Sequence, residues 1–225
     1  MRKFVWADKP ASVAFPIARA GYPIIWASAF VTAIFALLGY ILPTLIFLVI
    51  TVFVCAFFRD PDRLIPSEQG AVVSPADGKV ISIGQVDGSP FDREKWTKVS
   101  IFMSVFNVHV NRIPHDGTIT DIDYYPGRFF SANLDKASEK NERNAVMLET
   151  KEGVKICFVQ IAGLIARRII CGLQSRDSVL RGQRFGMICF GSRLDVYLPV
   201  DFIVEVELGK MVRAGTTVLG HLKED

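Results

Sequence analysis

Hydrophobic positions along this chain follow two regimes. From Ile24 to Phe58 the sequence reads IIWASAFVTAIFALLGYILPTLIFLVITVFVCAFF, and no charged residue occurs between Arg19 and Arg59. One bilayer crossing takes about 20 apolar residues, so this run is long for one helix and just long enough for two short ones. Gly39, Tyr40 and Pro43 near its middle offer a turn. The expected arrangement is a tight membrane hairpin, with one long tilted helix or an interfacial helix pair as alternatives. A cleaved signal peptide does not fit, because charged and aromatic residues precede the run and no small-residue cleavage site closes it. Arg2, Lys3, Lys9 and Arg19 precede the run and Arg59 and Arg63 follow it. A hairpin puts both sets on one face, which the positive-inside rule makes cytoplasmic.

Past the loop FFRDPDRLIPSEQG the texture changes. Short β-rich pieces follow one another: Lys79 to Val86, Val99 to Met103, Val108 to Ile113, Thr118 to Ile122, Val146 to Glu149, Val154 to Ile161, Met187 to Phe190, Leu194 to Leu198 and Phe202 to Glu207. Turn signals such as Asp77-Gly78, Asp87-Gly88, Pro126-Gly127 and Glu152-Gly153 separate them. The expected fold is mainly β (α+β): residues 1–59 form the helical membrane anchor, and residues 60–225 form a compact antiparallel, barrel-like β domain. Ser131 to Asn144, SANLDKASEKNERN, is polar and aperiodic and reads as a functional loop or short helix.

Composition sharpens this picture only in places. Half of the 225 residues are apolar, and the mean hydropathy of +0.31 is high for a soluble protein; the anchor accounts for the excess. A net charge of +3 favours an anionic membrane surface. Without a basic stripe interleaved with aromatics, no nucleic-acid partner is expected. Cys55, Cys157, Cys171 and Cys189 lack metal-ligand spacing and read as small hydrophobes, so no metal site is expected.

Chemistry is concentrated in GMICFGSRLDVYLP, Gly186 to Pro199. Its outer parts look like a strand pair or one bent strand, yet Gly191 and Ser192 interrupt them. A serine becomes a nucleophile when an oriented base stands beside it. Only three histidines exist: His109 in FNVHVNRIPHDG on an expected strand, His115 in a turn, and His221 near the end. Asp77 lies in VVSPADGKV. A lone strand histidine is more often structural and an Asp before Gly is more often a turn former, so residue types alone leave a Ser192/His109/Asp77 triad open. A nucleophile elbow has glycine on both sides of its serine, at a strand-to-helix turn, whereas here Arg193 and another strand follow. Serine directly after glycine in a bent strand suits attack on the carbonyl of its own preceding residue, with Gly191 permitting the backbone geometry. An N-to-O acyl shift and β-elimination would leave a pyruvoyl group at a new N-terminus.

Seven segments, FFRDPDRLIP, VVSPADGKV, FMSVFNVHVNRIPHDG, YYPGRF, NERN, GLIARRI and RFGMICFGSRLDVYLP, run in that order from about Phe57 to Leu219. In them the chain resembles the phosphatidylserine decarboxylases, in their shorter form. Well-known members carry Leu-Gly-Ser-Thr where this chain has Phe190-Gly191-Ser192-Arg193, a departure that fits the shorter form. The resemblance implies that Ser192 cuts the chain and becomes the pyruvoyl group, that Gly191 ends the larger chain, and that the two products stay together as a heterodimer. It implies that Asp77 is the family's aspartate. Longer members have two histidines three residues apart; aligned on Pro114, His109 falls on the first and Arg112 on the second. Either His109 serves both processing and decarboxylation, or His115 helps; a fixed strand position favours His109.

The implied activity converts membrane phosphatidylserine to phosphatidylethanolamine and CO2 through a Schiff base to the pyruvoyl group, with no metal or pyridoxal phosphate, and His109 as proton donor. Arg167, Arg168 or Arg128 would meet the lipid phosphate, though solvated surface charge explains them as readily. The implied location is the cell membrane, with the catalytic domain on the cytoplasmic face; a homo-oligomer is neither required nor excluded. Two rival classes exist. A lipoyl-type carrier fits SPADGKVISIG, VRAGTTVLG and LDKAS, but Lys136 sits in an irregular charged segment. A membrane-anchored scaffold would leave Ser192→Ala without effect.

Overall fold

A computed structural model describes residues 4–5, 7–8, 15–127, 141–163, 168–189 and 191–223. The chain divides into two compact units, residues 10–62 and residues 1–9 with 63–225.

The first unit is a helical hairpin. After a 3-10 turn at Arg19–Gly21 come α1, Tyr22–Leu37, and α2, Ile41–Phe57. Gly39, at φ +75°, makes the turn between them, and Pro43 is tolerated in the first turn of α2, where backbone N–H groups have no intrahelical partner. Phe35 stacks on Phe47 with ring centroids 5.4 Å apart, and the hydroxyls of Thr32 and Thr51 meet at 3.2 Å. At the open end the Ala18 N–H donates to the Phe58 carbonyl and the Asp60 N–H to that of Pro16, both at 2.8 Å. Gly21 is needed there, because a Cβ would come within 2.5 Å of Phe58. No residue of α1 is buried, and large apolar side chains such as Leu37 (87% exposed) and Trp26 (72%) point outward. Apolar surface all round a helix suits lipid rather than a protein core. At 16 and 17 residues, the helices are about 24 and 26 Å long. Among the described residues, Arg19–Leu37 is the one stretch long and apolar enough to cross a membrane.

The second unit holds β1 (Phe4–Val5), β2 (Ile65–Pro66), β3 (Ala71–Val73), β4 (Gly78–Asp87), β5 (Lys95–Met103), β6 (Val110–Arg112), β7 (Gly117–Tyr125), β8 (Arg143–Glu149), β9 (Lys155–Ala162), β10 (Ile169–Cys171), β11 (Ser178–Val179), β12 (Arg184–Ile188), β13 (Ser192–Leu198), β14 (Ile203–Val204), β15 (Met211–Val212) and β16 (Val218–His221). Eight of them form one curled antiparallel sheet in the order β11-β7-β8-β9-β13-β5-β4-β15. Two three-stranded sheets, β10-β12-β6 and β14-β16-β3, accompany it, together with the pair β1-β2.

β13 lies between β9 and β5, and all seven of its residues are buried. Leu194, Val196 and Leu198 join the main core with Val99, Ile101, Met103, Val146 and Phe158. On the opposite face Tyr197 packs with Trp96, Ala145, Met147, Cys157, Val159 and Ile161. Side chains alternate along a strand, so this one strand serves two cores.

Several expectations need correction. The strand expected over 108–113 is only Val110–Arg112, so His109 precedes it, and 202–207 shrinks to Ile203–Val204. The run from 187 to 198 is neither a strand pair nor one bent strand, since β12 and β13 belong to different sheets. Of the polar segment 131–144, residues 131–140 fall outside the described ones, and Arg143 and Asn144 open β8. All four cysteines are free, with Cys157 and Cys189 buried and Cys55 and Cys171 half-buried.

Candidate active site

Gly191 is where the chain leaves the β10-β12-β6 sheet and enters the middle of the large one. Its φ is +72°, a left-handed conformation that glycine adopts without steric cost. A Cβ there would meet nothing closer than Val105 Cγ1, at 4.0 Å. Backbone conformation, not space, is therefore what requires glycine. The Gly191 carbonyl accepts a hydrogen bond from the Gly163 N–H at 3.2 Å, a contact that would stabilise negative charge developing on that oxygen.

Ser192 opens β13, paired with Met103 of β5 and Ala162 of β9. It is fully buried, and its Oγ donates to Met103 Sδ at 3.3 Å. A thioether is a weak acceptor and no base, so the hydroxyl rests beside the Gly191–Ser192 bond without being deprotonated.

Met103 and Val105 lie against this bond, at the start of the segment that leads to His109. Asn107 Oδ1 accepts from both the N–H and the Oγ of Ser104 at 2.8 Å, and the Asn107 N–H returns to the Ser104 carbonyl at 2.9 Å. This turn brings Val105 towards Gly191 and presents His109 at its end. His109 is fully buried, with Nδ1 2.9 Å from the Asn107 carbonyl. A carbonyl only accepts, so Nδ1 carries the hydrogen in the neutral ring and Nε2 is the basic nitrogen.

In a Ser192/His109/Asp77 triad Asp77 would set that tautomer; here the Asn107 carbonyl does so. The Asp77 carboxylate bonds Arg63 Nη2 at 2.9 Å and accepts from the Ala214 N–H at 2.7 Å. Asp77 precedes β4, whose Lys79 pairs with Phe102. It thus shares the Ser192 end of the sheet but stands two strands away, about 10 Å at the usual strand spacing.

The other candidates divide. His115 bonds the Asp116 carbonyl through Nδ1 at 2.9 Å and lines a cavity with Glu68, Thr150, Glu152 and Arg181. That cavity lies at the β8–β9 turn, whereas Ser192 pairs with Ala162 at the other end of β9, about 23 Å along the strand. His115 is not brought to Ser192. Arg112, at the position of the second histidine, is buried and donates to the Gly182 carbonyl at 2.9 Å, with Asp8 at 3.9 Å. Arg168 is exposed, and its carbonyl accepts from the Cys189 N–H at 3.1 Å, near the end of β12. Arg128 and Arg167 lie outside the described residues.

Reasoning from the sequence missed a buried amide chain. Gln160 Nε2 donates to the Ile170 carbonyl at 3.3 Å and to Asn111 Oδ1 at 2.9 Å, while Asn144 Nδ2 donates to Gln160 Oε1 at 3.2 Å. Since the Ile170 carbonyl fixes which end of Gln160 donates, Asn111 must turn its Nδ2 towards Met103 Sδ, at 3.8 Å. One signal was present: Gln160 is an amide inside the apolar run of β9. The nearby Cys189 thiol is pushed up by burial, partly opposed by the charge of Arg168, so it stays a thiol and does not compete as nucleophile.

A pyruvoyl group made from Ser192 needs a hydroxyl beside its own preceding carbonyl and a donor for that carbonyl's oxygen; the residues around Gly191 fit that requirement. The sequence matches the family model described as phosphatidylserine decarboxylase over residues 50–220. It is 50% identical over 207 residues to a phosphatidylserine decarboxylase proenzyme of Geotalea uraniireducens, covering 92% of this chain and 97% of the relative. The proenzyme of Desulfotalea psychrophila is 48% identical with the same coverage. That of Syntrophus aciditrophicus is 52% identical over 91% of this chain and 96% of its own. The class is thus that of the decarboxylases. Within it, this chain belongs to the phosphatidylserine decarboxylase family.

Proposed function

We propose that the protein cuts its own Gly191–Ser192 bond and, with the group so made, converts phosphatidylserine to phosphatidylethanolamine and CO2. The supporting observation is the junction itself: a left-handed Gly191 whose carbonyl meets the Gly163 N–H, followed by a buried serine in the central strand. Ser192 Oγ attacks the Gly191 carbonyl carbon and gives its proton to a base, His109 Nε2 in this reading. The C–N bond breaks, the Ser192 nitrogen takes a proton, and an ester joins Gly191 to Oγ. Loss of the Ser192 α-proton then breaks the Cβ–Oγ bond and frees the Gly191 carboxylate. Water replaces the nitrogen, which leaves as ammonia, and Ser192 becomes a pyruvoyl group at the head of a small chain running to Asp225.

Such a group supplies an electrophilic carbonyl and a sink for the electron pair released with CO2. The protein supplies the rest. β5 and β9 hold residue 192 on both sides, and the two cores exclude water. His109, once protonated at Nε2, gives that proton to the substrate carbon. Asp77 holds Arg63 and the turn before β4 in place, and Arg168 with Arg128 and Arg167 offers charge to the lipid phosphate. The apolar hairpin anchors the chain at the cell membrane, and the flanking Arg19, Arg59 and Arg63 put the β unit on the cytoplasmic face.

The test is the denaturing gel and the fragment mass. The parent should yield a small chain starting at residue 192 with a blocked N-terminus. Ser192→Ala should stay whole and inactive, and Ser192→Cys should cut more slowly. A two-chain form from Ser192→Ala would mean that something else cuts the bond.

A further inference from the structure

The residue after the serine is the largest fully buried side chain among the described residues, and it is an arginine. Arg193 faces away from the Ser192 side of β13, into the second core. Its Nε lies 2.5 Å from Asp195 Oδ1, with the two side chains 1% and 0% exposed, and its Nη2 donates to Ser100 Oγ at 2.8 Å. Asp195 pairs in register with Ser100, so the guanidinium reaches two residues along the strand and one strand across. Building an ion pair into a packed core is costly, and apolar residues of like volume often serve stability as well or better. Stability alone therefore does not account for this pair.

Its place in the chain does. Before the cut, residue 192 is tied to Gly191. Afterwards it is the first residue of a strand, and chain ends are the cheapest part of a fold to open. A reactive group carried there must nonetheless stay within a fraction of an ångström of its position, because small misplacements cost large factors in rate. Ser100 belongs to the large chain, Arg193 and Asp195 to the small one.

We propose that Arg193, through Asp195 and Ser100, is a positioning residue that clamps the newly made chain end into the sheet after self-cleavage. Peeling residue 192 away draws on residue 193, and moving Arg193 from its place breaks its ion pair with the buried Asp195. Opening the end thus costs the breaking of a buried ion pair as well as ladder hydrogen bonds. The uncut chain does not need the clamp, because the peptide bond to Gly191 already holds that position. The inference rests on the self-cleavage reading above.

The experiment uses the full-length protein in detergent micelles, with Arg193→Met and the milder Ser100→Ala. Each is examined as the cut enzyme and in a Ser192→Ala background that remains uncut. Arg193→Met should still form the small chain, with the same content of hydrazine-reactive carbonyl per chain. It should lose about tenfold or more in kcat with KM little changed, since a displacement near 1 Å costs up to about 10²-fold. Amide hydrogen exchange over residues 193–196 should quicken in the cut form and not in the uncut one. Ser100→Ala should follow the same pattern more weakly, and decides the matter if Arg193→Met fails to accumulate. Parent-like turnover, or exchange quickened equally in cut and uncut forms, overturns the clamp and leaves the self-cleavage reading intact. A parent that yields no small chain overturns that reading, and the clamp with it.

Discussion

Replacing Gly191 separates conformation from space at the bond proposed to break. At φ +72°, an L-residue pays about 1–2 kcal/mol for the left-handed region. A Cβ at this position would stand 4.0 Å from Val105, an ordinary contact, so Gly191→Ala adds no clash to that cost. If attack by Ser192 needs this backbone shape, Ala lowers its population and slows self-cleavage by about 5- to 30-fold, the factor that 1–2 kcal/mol commands. Asn tolerates the left-handed region better than Ala, so Gly191→Asn should cut faster than Gly191→Ala, although it is the larger side chain. A β-branched Val should be slowest. The assay is a time course of small-chain appearance after cell-free synthesis in detergent. Melting of each variant in the Ser192→Ala background reports fold stability separately, and a loss of this size leaves a domain of about 5–15 kcal/mol folded. Ala cutting at the parent rate, or an order set by side-chain size with Asn slower than Ala, would refute the conformational argument.

His109→Ala should slow cutting or turnover by about 10²–10⁴-fold, as befits a general acid–base group. His115→Ala, at the far end of β9, should do neither; the reverse outcome on the gel and in CO2 release would move the catalytic histidine beyond Pro114. A chain starting at Asp60 should still cut itself but lose most activity on phosphatidylserine vesicles while keeping more in mixed micelles, and equal vesicle activity would remove the anchor from substrate access. Stability should fall at alkaline pH. Burial raises the Cys157 thiol well above its ordinary value and raises the Tyr197 phenol as well, so the unfolded chain releases these protons first. The contribution is complete below the unfolded values and declines as pH rises through about 9 and then 10, by about 1.4 kcal/mol per pH unit for each buried proton. Urea midpoints at pH 8, 9 and 10 check this, and Cys157→Ala should remove the earlier part of the decline.

Local patterns determined what they could reach. An uncharged apolar run with Gly39 at its centre gives two short paired helices, because glycine makes the left-handed turn between them. β-formers broken by Asp-Gly and Glu-Gly turns give an antiparallel β unit. Gly191 before Ser192 marked the junction, because a glycine between strand halves needs a backbone reason. Other features depended on residues distant in sequence. That Met103, rather than a histidine, receives the Ser192 hydroxyl depends on the register of β5 against β13. That Asn107 sets the His109 tautomer and Asp77 binds Arg63 depends on which loops share an end of the sheet. His109 and His115 are six positions apart and flank Pro114, yet the turn into β7 carries His115 to the opposite end of β9. Arg193 reads as a surface charge until β13 is placed between two cores. Side-chain period and turn chemistry are written into a few neighbouring residues, whereas strand order, register and burial are set by contacts across the whole sheet, and only the folded chain brings those together.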